Sequence, residues 1–288
     1  MIIFSGKLLP EICRTNESVM MNVLLPTDFS ENARNAAVYA MEFFKNTRCN
    51  FYLLHVIEAP SGRLQTSYLA ASPEVQKKFE GLLEWLHTVR KNPDHHFHAC
   101  FKADFLIQAV RDKVQEKNID LILMGTKGQT NSSWGIIGKN TSDVMMKVKC
   151  PVLAISEKAV YREYKELLFP TDYKVRFDSR LLHLLNSLSS LSRTSVNILE
   201  LFDNSSEPTP EQLLNRNMLK DYFSPKVPVS LTWDNPDGQD LNGLVFDQRN
   251  IDLIVLAARN LRLCQQFLHK NKTFQIPMMN QLPLLVLH

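Results

Sequence analysis

The chain contains an internal repeat, and this feature constrains its fold more than any other. Residues 23–29, Val-Leu-Leu-Pro-Thr-Asp-Phe, recur as residues 167–173, Leu-Leu-Phe-Pro-Thr-Asp-Tyr, so an apolar segment ends twice in the same Pro-Thr-Asp turn. Residues 119–122, Ile-Asp-Leu-Ile, recur unchanged as residues 251–254. Two matches in the same order indicate a duplicated unit, which each half of the chain builds from one pattern of strands and helices.

The spacing of the repeat gives the expected domain bounds. From the Ile-Asp-Leu-Ile segments onward, the two copies align without a gap as far as the last apolar run, which pairs Thr141 with Thr273. We therefore expect a first domain at 21–156 and a second domain at 157–288, each of ordinary domain size. Residues 1–20 precede the first strand pattern and are expected to be a poorly ordered extension, an appended leader or a misassigned start.

Apolar runs and amphipathic helical patterns alternate along the first copy. Strands are predicted near 23–25, 51–57, 96–101, 121–124 and 152–155, and helices after Ser30, from Pro73, at 106–117 and at 141–149. Nearly continuous apolar strands separated by helices are typical of a parallel sheet covered on both faces. We therefore predict two tandem α/β domains of flavodoxin-like or Rossmann-like fold, each with a five-stranded parallel sheet. Such sheets bind ligands beyond the carboxyl ends of their strands.

Composition excludes several functions. The formal net charge is only +3 over 288 residues, and acids are interleaved with the bases, so no basic stripe for nucleic acid is expected. No apolar run is long enough to span a membrane. The 5 cysteines are scattered and form no CxxC pair, which fits a reducing cytoplasm.

Glycines follow the fourth predicted strand at a suggestive spacing. Gly125 and Gly128 come directly after the strand, and Gly138 precedes the helix that contains Thr141. Bare backbone and a helix N-terminus both present N–H groups to phosphate oxygens, so this loop is a candidate phosphate cradle. Turn chemistry at a strand end is the alternative explanation. A P-loop is excluded, because Ser133 and Asn140 stand where that motif needs Gly and Ser or Thr.

With the Pro-Thr-Asp turn at the same edge of the sheet, this spacing resembles the universal stress protein family, whose ATP-binding members carry G-x2-G-x9-G after a strand. The resemblance implies an adenine nucleotide alpha hydrolase-like fold. It also implies that Asp28 contacts the ribose, that Val56 and the backbone near Thr27 contact the adenine, and that the glycine segments contact the phosphates. The implied nucleotide-binding residues are Pro26, Thr27, Asp28, Val56, Met124, Gly125, Lys127, Gly128, Gly138, Lys139, Asn140 and Thr141.

Two departures from the family pattern affect the ligand. Lys139 stands where binding members usually have Ser, so a hydroxyl is exchanged for a cation and the preference among ATP, ADP and AMP is left open. In the second copy, the three glycines align with Ala257, Asn260 and Lys270, which predicts a site that has lost nucleotide binding. Because Asp172 nevertheless persists there, Asp28 has an alternative role as a turn-capping carboxylate.

Other candidate sites have plainer explanations. His96, His98 and Cys100 alternate along one predicted strand, but no second cluster completes a zinc site, so no metal is expected. Trp85 and Trp233 are expected to pack in the core, whereas Trp134 lies between the glycine sites and either shields a phosphate, touches a partner or folds back on the sheet. No catalytic motif is present, so no enzyme is expected, with slow ATP hydrolysis left open.

These observations lead to one functional expectation and two alternatives. The expectation is a cytoplasmic stress-response or regulatory protein that binds ATP, or another adenine nucleotide such as ADP or AMP with or without Mg, in its first domain and acts on an unknown protein partner. The alternatives are a nucleotide-free interaction scaffold and a slow ATPase. The last strands of the two copies are expected to pair, giving either a monomer with pseudo-dimeric domains or a homodimer.

Overall fold

A computed structural model describes residues 20–57, 73–126, 137–177, 182, 194–201, 207–223, 229–232, 251–268 and 282–288. The chain divides into two compact units, and the division falls between Tyr161 and Arg162. We call them the first unit and the second unit and describe each by itself. The predicted extension at 1–20 lies almost wholly outside the described residues, and the predicted domain bounds stay a prediction.

The first unit is a five-stranded parallel sheet with helices between its strands. Its strands are β1 (Met21–Pro26), β2 (Cys49–Ile57), β3 (His95–Ala103), β4 (Leu121–Gly125) and β5 (Val152–Ile155). Its described helices are α1 (Glu31–Phe43), α2 (Pro73–Val89), α3 (Leu106–Lys117) and α4 (Lys139–Lys147). The strand order is β3-β2-β1-β4-β5, and every described pairing is parallel. This confirms the predicted α/β fold class.

Local sequence explains where the elements of the first unit begin. Ser30 caps α1, because its Oγ accepts the amide of Ala33 at 3.2 Å. Pro73 is the first residue of α2, where the backbone N–H that proline lacks would have no intrahelical acceptor. Phe79, Leu82 and Leu86 are buried along one face of that helix. Strands β4 and β5 are apolar and buried along almost their whole length, as expected for central strands covered on both faces.

The repeated Ile-Asp-Leu-Ile segment has a structural role. The Asp120 carboxylate accepts the backbone amide of Asn22 at 2.9 Å, which ties the start of β4 to the start of β1. Asp252 does the same for the second unit, accepting the amides of Lys165 at 2.8 Å and Glu166 at 3.1 Å. The repeat therefore fixes how neighbouring central strands begin.

The second unit has the same order of strands. Its strands are β6 (Glu166–Thr171), β7 (Ser195–Glu200), β8 (Val229–Thr232), β9 (Leu253–Ala257) and β10 (Leu284–Leu287), arranged β8-β7-β6-β9-β10 and described as parallel. Its described helices are α5 (Pro210–Phe223) and α6 (Leu261–Leu268). A reciprocal pair of hydrogen bonds between Thr209 and Gln212 caps the start of α5.

A side-chain cap sets the start of the last described helix. Asn260 Oδ1 accepts the amide of Leu263 at 3.1 Å, so α6 begins at Leu261, directly after β9. The gapless alignment pairs Lys139, at the start of α4, with residue 271. Residues 269–281 lie outside the described part of the chain. Within that described part, no helix is both long and apolar enough to cross a bilayer.

Candidate functional site

The edge of interest in the first unit is where the chain changes direction across the sheet. From β1 the chain moves outward to β2 and β3, and then returns to β4 on the other side of β1. The carboxyl ends of β1 and β4 therefore flank the topological switch point, where parallel α/β sheets bind ligands. Thr27 and Asp28 follow β1 at this edge, and Gly125 ends β4.

The turn after β1 is stabilised by its own side chains. Thr27 Oγ1 accepts the amide of Phe29 at 3.0 Å, and Asp28 Oδ1 accepts the amide of Ser30 at 3.1 Å. These bonds hold Phe29 at a φ of 63°, a left-handed conformation that a non-glycine residue seldom adopts. Asp28 itself is half-buried at this edge of the sheet.

The structure gives a reason for one of the two described glycines of the predicted cradle, Gly125, but not for the other, Gly138. A Cβ at Gly125 would lie 2.7 Å from the side chain of the buried Asn32, so packing alone accounts for this glycine. Gly138 has φ −63° and ψ 154°, which any residue can adopt. The backbone angles at position 138 therefore do not require a glycine.

Gly138 leaves the start of α4 without a side-chain cap. Its own amide donates to Thr126 O at 2.6 Å, and the first-turn amides of α4 have no intrahelical acceptor. The Thr141 hydroxyl is buried and donates to Gly125 O at 2.7 Å, so it fastens the helix to the end of β4. Lys139 and Asn140 are exposed beside this helix start.

The end of β2 contributes groups that neither the glycine spacing nor the Pro-Thr-Asp turn predicts. The ring of His55 lies 4.6 Å from that of Phe29, which in turn lies 5.1 Å from Phe79 of α2. His55 Nδ1 is 2.8 Å from Thr27 O and donates to it, because a carbonyl can only accept. The positive φ of Phe29 brings these rings together, and no periodic pattern in the sequence reports that angle.

The remaining predicted residues lie at the same edge or outside the description. Val56 is half-buried and lies beyond Pro26–Leu54, the last pair of the β1–β2 ladder. Met124 is buried in β4. Lys127 and Gly128, together with Trp134, lie outside the described residues. The structure thus brings Thr27, Asp28, Val56, Gly125 and Gly138 to one edge of the sheet.

The matching edge of the second unit is filled by protein side chains. Asp172 is 9% exposed, and its Oδ1 accepts the amide nitrogen of Asn260 at 2.7 Å and the backbone amide of Lys174 at 3.1 Å. Asn260 also caps α6, so one side chain closes the space between the β6 turn and the helix after β9.

An ionic cluster occupies the second unit where the first has aromatic rings. Tyr173 donates its hydroxyl to Glu200 at 2.8 Å, and Arg216 binds both oxygens of the same carboxylate at 2.8 Å each. Burial, with the negative charge of Glu200, raises the pKa of Tyr173 far above its usual range, so the phenol remains a donor. The hydrogen bond to Glu200 likewise raises the pKa of Arg216.

Of the alternating polar residues on β3, His98 is accounted for by local packing. The ring of His98 stacks on Tyr52 with centroids 4.9 Å apart, and its Nε2 lies 3.3 Å from Asn50 Oδ1. Among the residues that the structure describes, no three His, Cys, Asp or Glu side chains converge as metal ligands do. Trp85 is half-buried on α2, with the guanidinium of Arg34 5.6 Å from its ring centre.

Comparison with known proteins places these features in a family. The model of the universal stress protein family matches residues 20–156. A universal stress protein of Methanocaldococcus jannaschii is 23% identical over 153 residues, which cover 52% of this chain and 90% of that protein. Another from Synechocystis is 29% identical over 134 residues, covering 46% of this chain and 83% of its own length.

A solved structure extends the similarity of fold over most of the chain. The crystal structure of a universal stress protein from Archaeoglobus fulgidus matches with a TM-score of 0.63 at 17% identity, covering 92% of this chain and 95% of that one. At this identity, the match shows the shared Rossmann-like fold alone. Residues 20–156 therefore form a domain of the universal stress protein family.

Proposed function

We propose that the first unit binds an adenine nucleotide at the carboxyl ends of β1, β2 and β4, and that the protein is a stress-response regulator acting through this ligand. The observation that carries the proposal is the uncapped start of α4. Helix N-caps favour Ser, Thr, Asp and Asn, yet Gly138 occupies this one without any backbone requirement for glycine. The choice leaves first-turn amides open to a phosphate, aided by the helix dipole.

Groups suited to a nucleoside lie along the same edge. The half-buried carboxylate of Asp28 is an acceptor for ribose hydroxyls. Val56 lies past the last pair of the β1–β2 ladder, which supports a role for its backbone in reading the edge of the adenine ring. Lys139, exposed beside the helix start, supplies a point charge toward the phosphates in place of the family's serine hydroxyl.

The geometry of the second unit supports one nucleotide per chain. Asn260 holds Asp172, and both residues are buried, so a ribose would have to displace a protein hydrogen bond. The ligand would then act by stabilising one state of the first unit over another, because a nucleotide shifts a conformational equilibrium only through such a difference in affinity. A protein partner would recognise the stabilised state.

Two glycine variants test the assignment of the site. Gly138→Val suits the backbone angles found there but places a side chain against the phosphates, so calorimetric titration with ATP, ADP and AMP should show at least about a tenfold loss of affinity. Gly81→Val is the matched control, because a Cβ at Gly81 meets no atom within 4 Å. Equal affinity in the two variants would remove α4 from the site. No binding by the unsubstituted chain, with or without magnesium, would leave a nucleotide-free interaction scaffold.

A further inference from the structure

The last step of the ladder between the first two strands differs between the units. In the second unit, the amide of Leu201 donates to Thr171 O at 2.9 Å, so the β6–β7 ladder continues past Leu199. The corresponding pair in the first unit is Val56 and Thr27, since Leu54 pairs with Pro26 as Leu199 pairs with Pro170. Among the described residues, no backbone bond joins that pair.

The imidazole of His55 takes the place of the missing backbone donor. Thr27 O accepts Nδ1 of His55 at 2.8 Å, whereas Thr171 O accepts a backbone amide. Glu200 stands at the position of His55 in the second unit. Its carboxylate has no proton to give, and it turns instead to Tyr173 and Arg216. The two units thus differ both in the residue at the end of the second strand and in whether the ladder closes there.

We infer that His55 is a positioning residue, which holds the Thr27 carbonyl and thereby keeps the Val56 amide out of the sheet for use by a ligand. In a parallel ladder, alternate residues turn their backbone groups to the same neighbour. The N–H and C=O of Val56 therefore face the side that Leu54 faces, where its carbonyl accepts the Thr27 amide at 2.8 Å. β1 has ended at that level.

The chemistry of such an opening matches one edge of adenine. Adenine presents an acceptor nitrogen beside an amino donor, and a backbone N–H and C=O on one residue, not joined to Thr27 across the described ladder, complement that pair. In this respect the inference rests on the proposed nucleotide site. The rings of Phe29, Phe79 and Phe101, with centroids 4.6, 6.3 and 6.3 Å from that of His55, keep the imidazole in place.

Residue-resolved amide hydrogen exchange on the ligand-free chain tests the positioning directly. His55→Phe keeps an aromatic ring but removes the donor, so the Val56 amide should join the ladder and exchange at least about tenfold more slowly. His55→Gln keeps a side-chain donor and should leave the exchange of Val56 close to that of the unsubstituted chain. His98→Phe is the matched control on β3, where the histidine stacks on Tyr52, and it should change nothing at Val56.

Titration of the same variants with ATP completes the test. The affinity of His55→Phe should fall by about tenfold, the value of one lost hydrogen bond to a ligand, while His55→Gln and His98→Phe bind as the unsubstituted chain does. Unchanged Val56 exchange in a folded His55→Phe variant would overturn the inference. If exchange slows as expected but the unsubstituted chain binds no ATP, the positioning role of His55 stands and the proposed function fails.

Discussion

The two units place the same turn in opposite surroundings. After β1 and after β6, a threonine hydroxyl accepts the amide two residues on at 3.0 Å, an aspartate accepts the amide two residues on at 3.1 Å, and the aromatic residue between has φ 63° or 57°. Because the second unit keeps this geometry around a buried aspartate held by Asn260, the turn has a structural purpose of its own. The turn alone therefore does not distinguish the two units, and the difference in ligand binding that we propose must depend on what surrounds it.

The surroundings differ by three matched positions. Phe29, His55 and Phe79 of the first unit correspond to Tyr173, Glu200 and Arg216 of the second. Under the proposed function, aromatic packing in the first unit leaves the backbone groups at the strand ends available to a ligand. The ionic cluster in the second satisfies its own charges internally, so that unit is held closed by its side chains.

The largest expected effect comes from breaking the ionic cluster. Arg216→Met leaves the Glu200 carboxylate, which is 1% exposed, without its bidentate partner. We expect a loss of about 2–3 kcal/mol in the stability of the second unit, below the range for fully buried pairs because water reaches Arg216. Hydrogen exchange of β7 amides measures it. Lys220→Met is the control on the same helix, because the Lys220 side chain is half-exposed and its Nζ is 4.0 Å from Glu200. A loss of stability equal to that of Arg216→Met would contradict the role that we assign to the Arg216–Glu200 pair.

A reciprocal exchange of aromatic residues should give a smaller and unequal effect. Tyr173→Phe removes a hydroxyl that donates to a buried carboxylate and should cost about 1.5 kcal/mol in the unfolding of the second unit. Phe29→Tyr adds a hydroxyl to a half-buried ring in the first unit and should stay within about 0.5 kcal/mol. Denaturant unfolding of both variants gives the two values. Equal losses of unfolding free energy in the two variants would contradict the contrast between an ionic cluster in the second unit and aromatic packing in the first.

Lys139 tests whether the first unit contacts the phosphates of the proposed nucleotide. Lys139→Ser removes a cation at the start of α4 and restores the hydroxyl usual in the family, so affinity for ATP should fall about threefold while that for AMP changes less. Titration with both nucleotides measures the ratio. Lys149→Ser, an exposed lysine beyond the other end of α4, should leave both affinities unchanged. A ratio unaffected by Lys139→Ser would exclude phosphate contact by this residue.

The smallest expected effect is a pH dependence confined to the first unit. His95 is buried at the start of β3, and burial lowers the pKa of its imidazole, although the carbonyl of Phe44 3.0 Å from Nε2 opposes this. The pKa of a histidine in the unfolded chain is near 6.5, so below that pH the unfolded chain binds more protons than the folded unit does. Stability should therefore decrease as the pH falls from 7.5 to 5.

The variant His95→Gln isolates this dependence. Because glutamine does not titrate, the variant should lose part of the slope of unfolding free energy against pH, measured by denaturant unfolding at a series of pH values. The same slope in both proteins would show that the buried imidazole is not the source.

Much of the first unit follows from its sequence, because its local signals agree with its fold. The helix predicted at 106–117 is found there, and β5 is found at the predicted 152–155. The helix predicted at 141–149 lies two residues earlier, since Gly138 serves as its N-cap. The positions of Asp28, Gly125 and Gly138 at one edge follow from strand order alone.

What could not be predicted depends on contacts between distant residues. The start of α6 depends on a single side chain, Asn260, which caps the helix and binds Asp172 from 88 positions away. The packing reason for Gly125 needs the position of Asn32 on another element. The role of His55 emerges only when its bond to Thr27 is compared with the ladder of the second unit.

The most direct test of the account is the stoichiometry of ATP binding by the full chain, measured by calorimetry and repeated with Asp28→Ala and Asp172→Ala. We predict one ATP per chain, lost in Asp28→Ala and retained in Asp172→Ala wherever that variant is folded. Two ATP per chain, or binding that depends on Asp172 rather than Asp28, would contradict the division into an open first unit and a closed second unit.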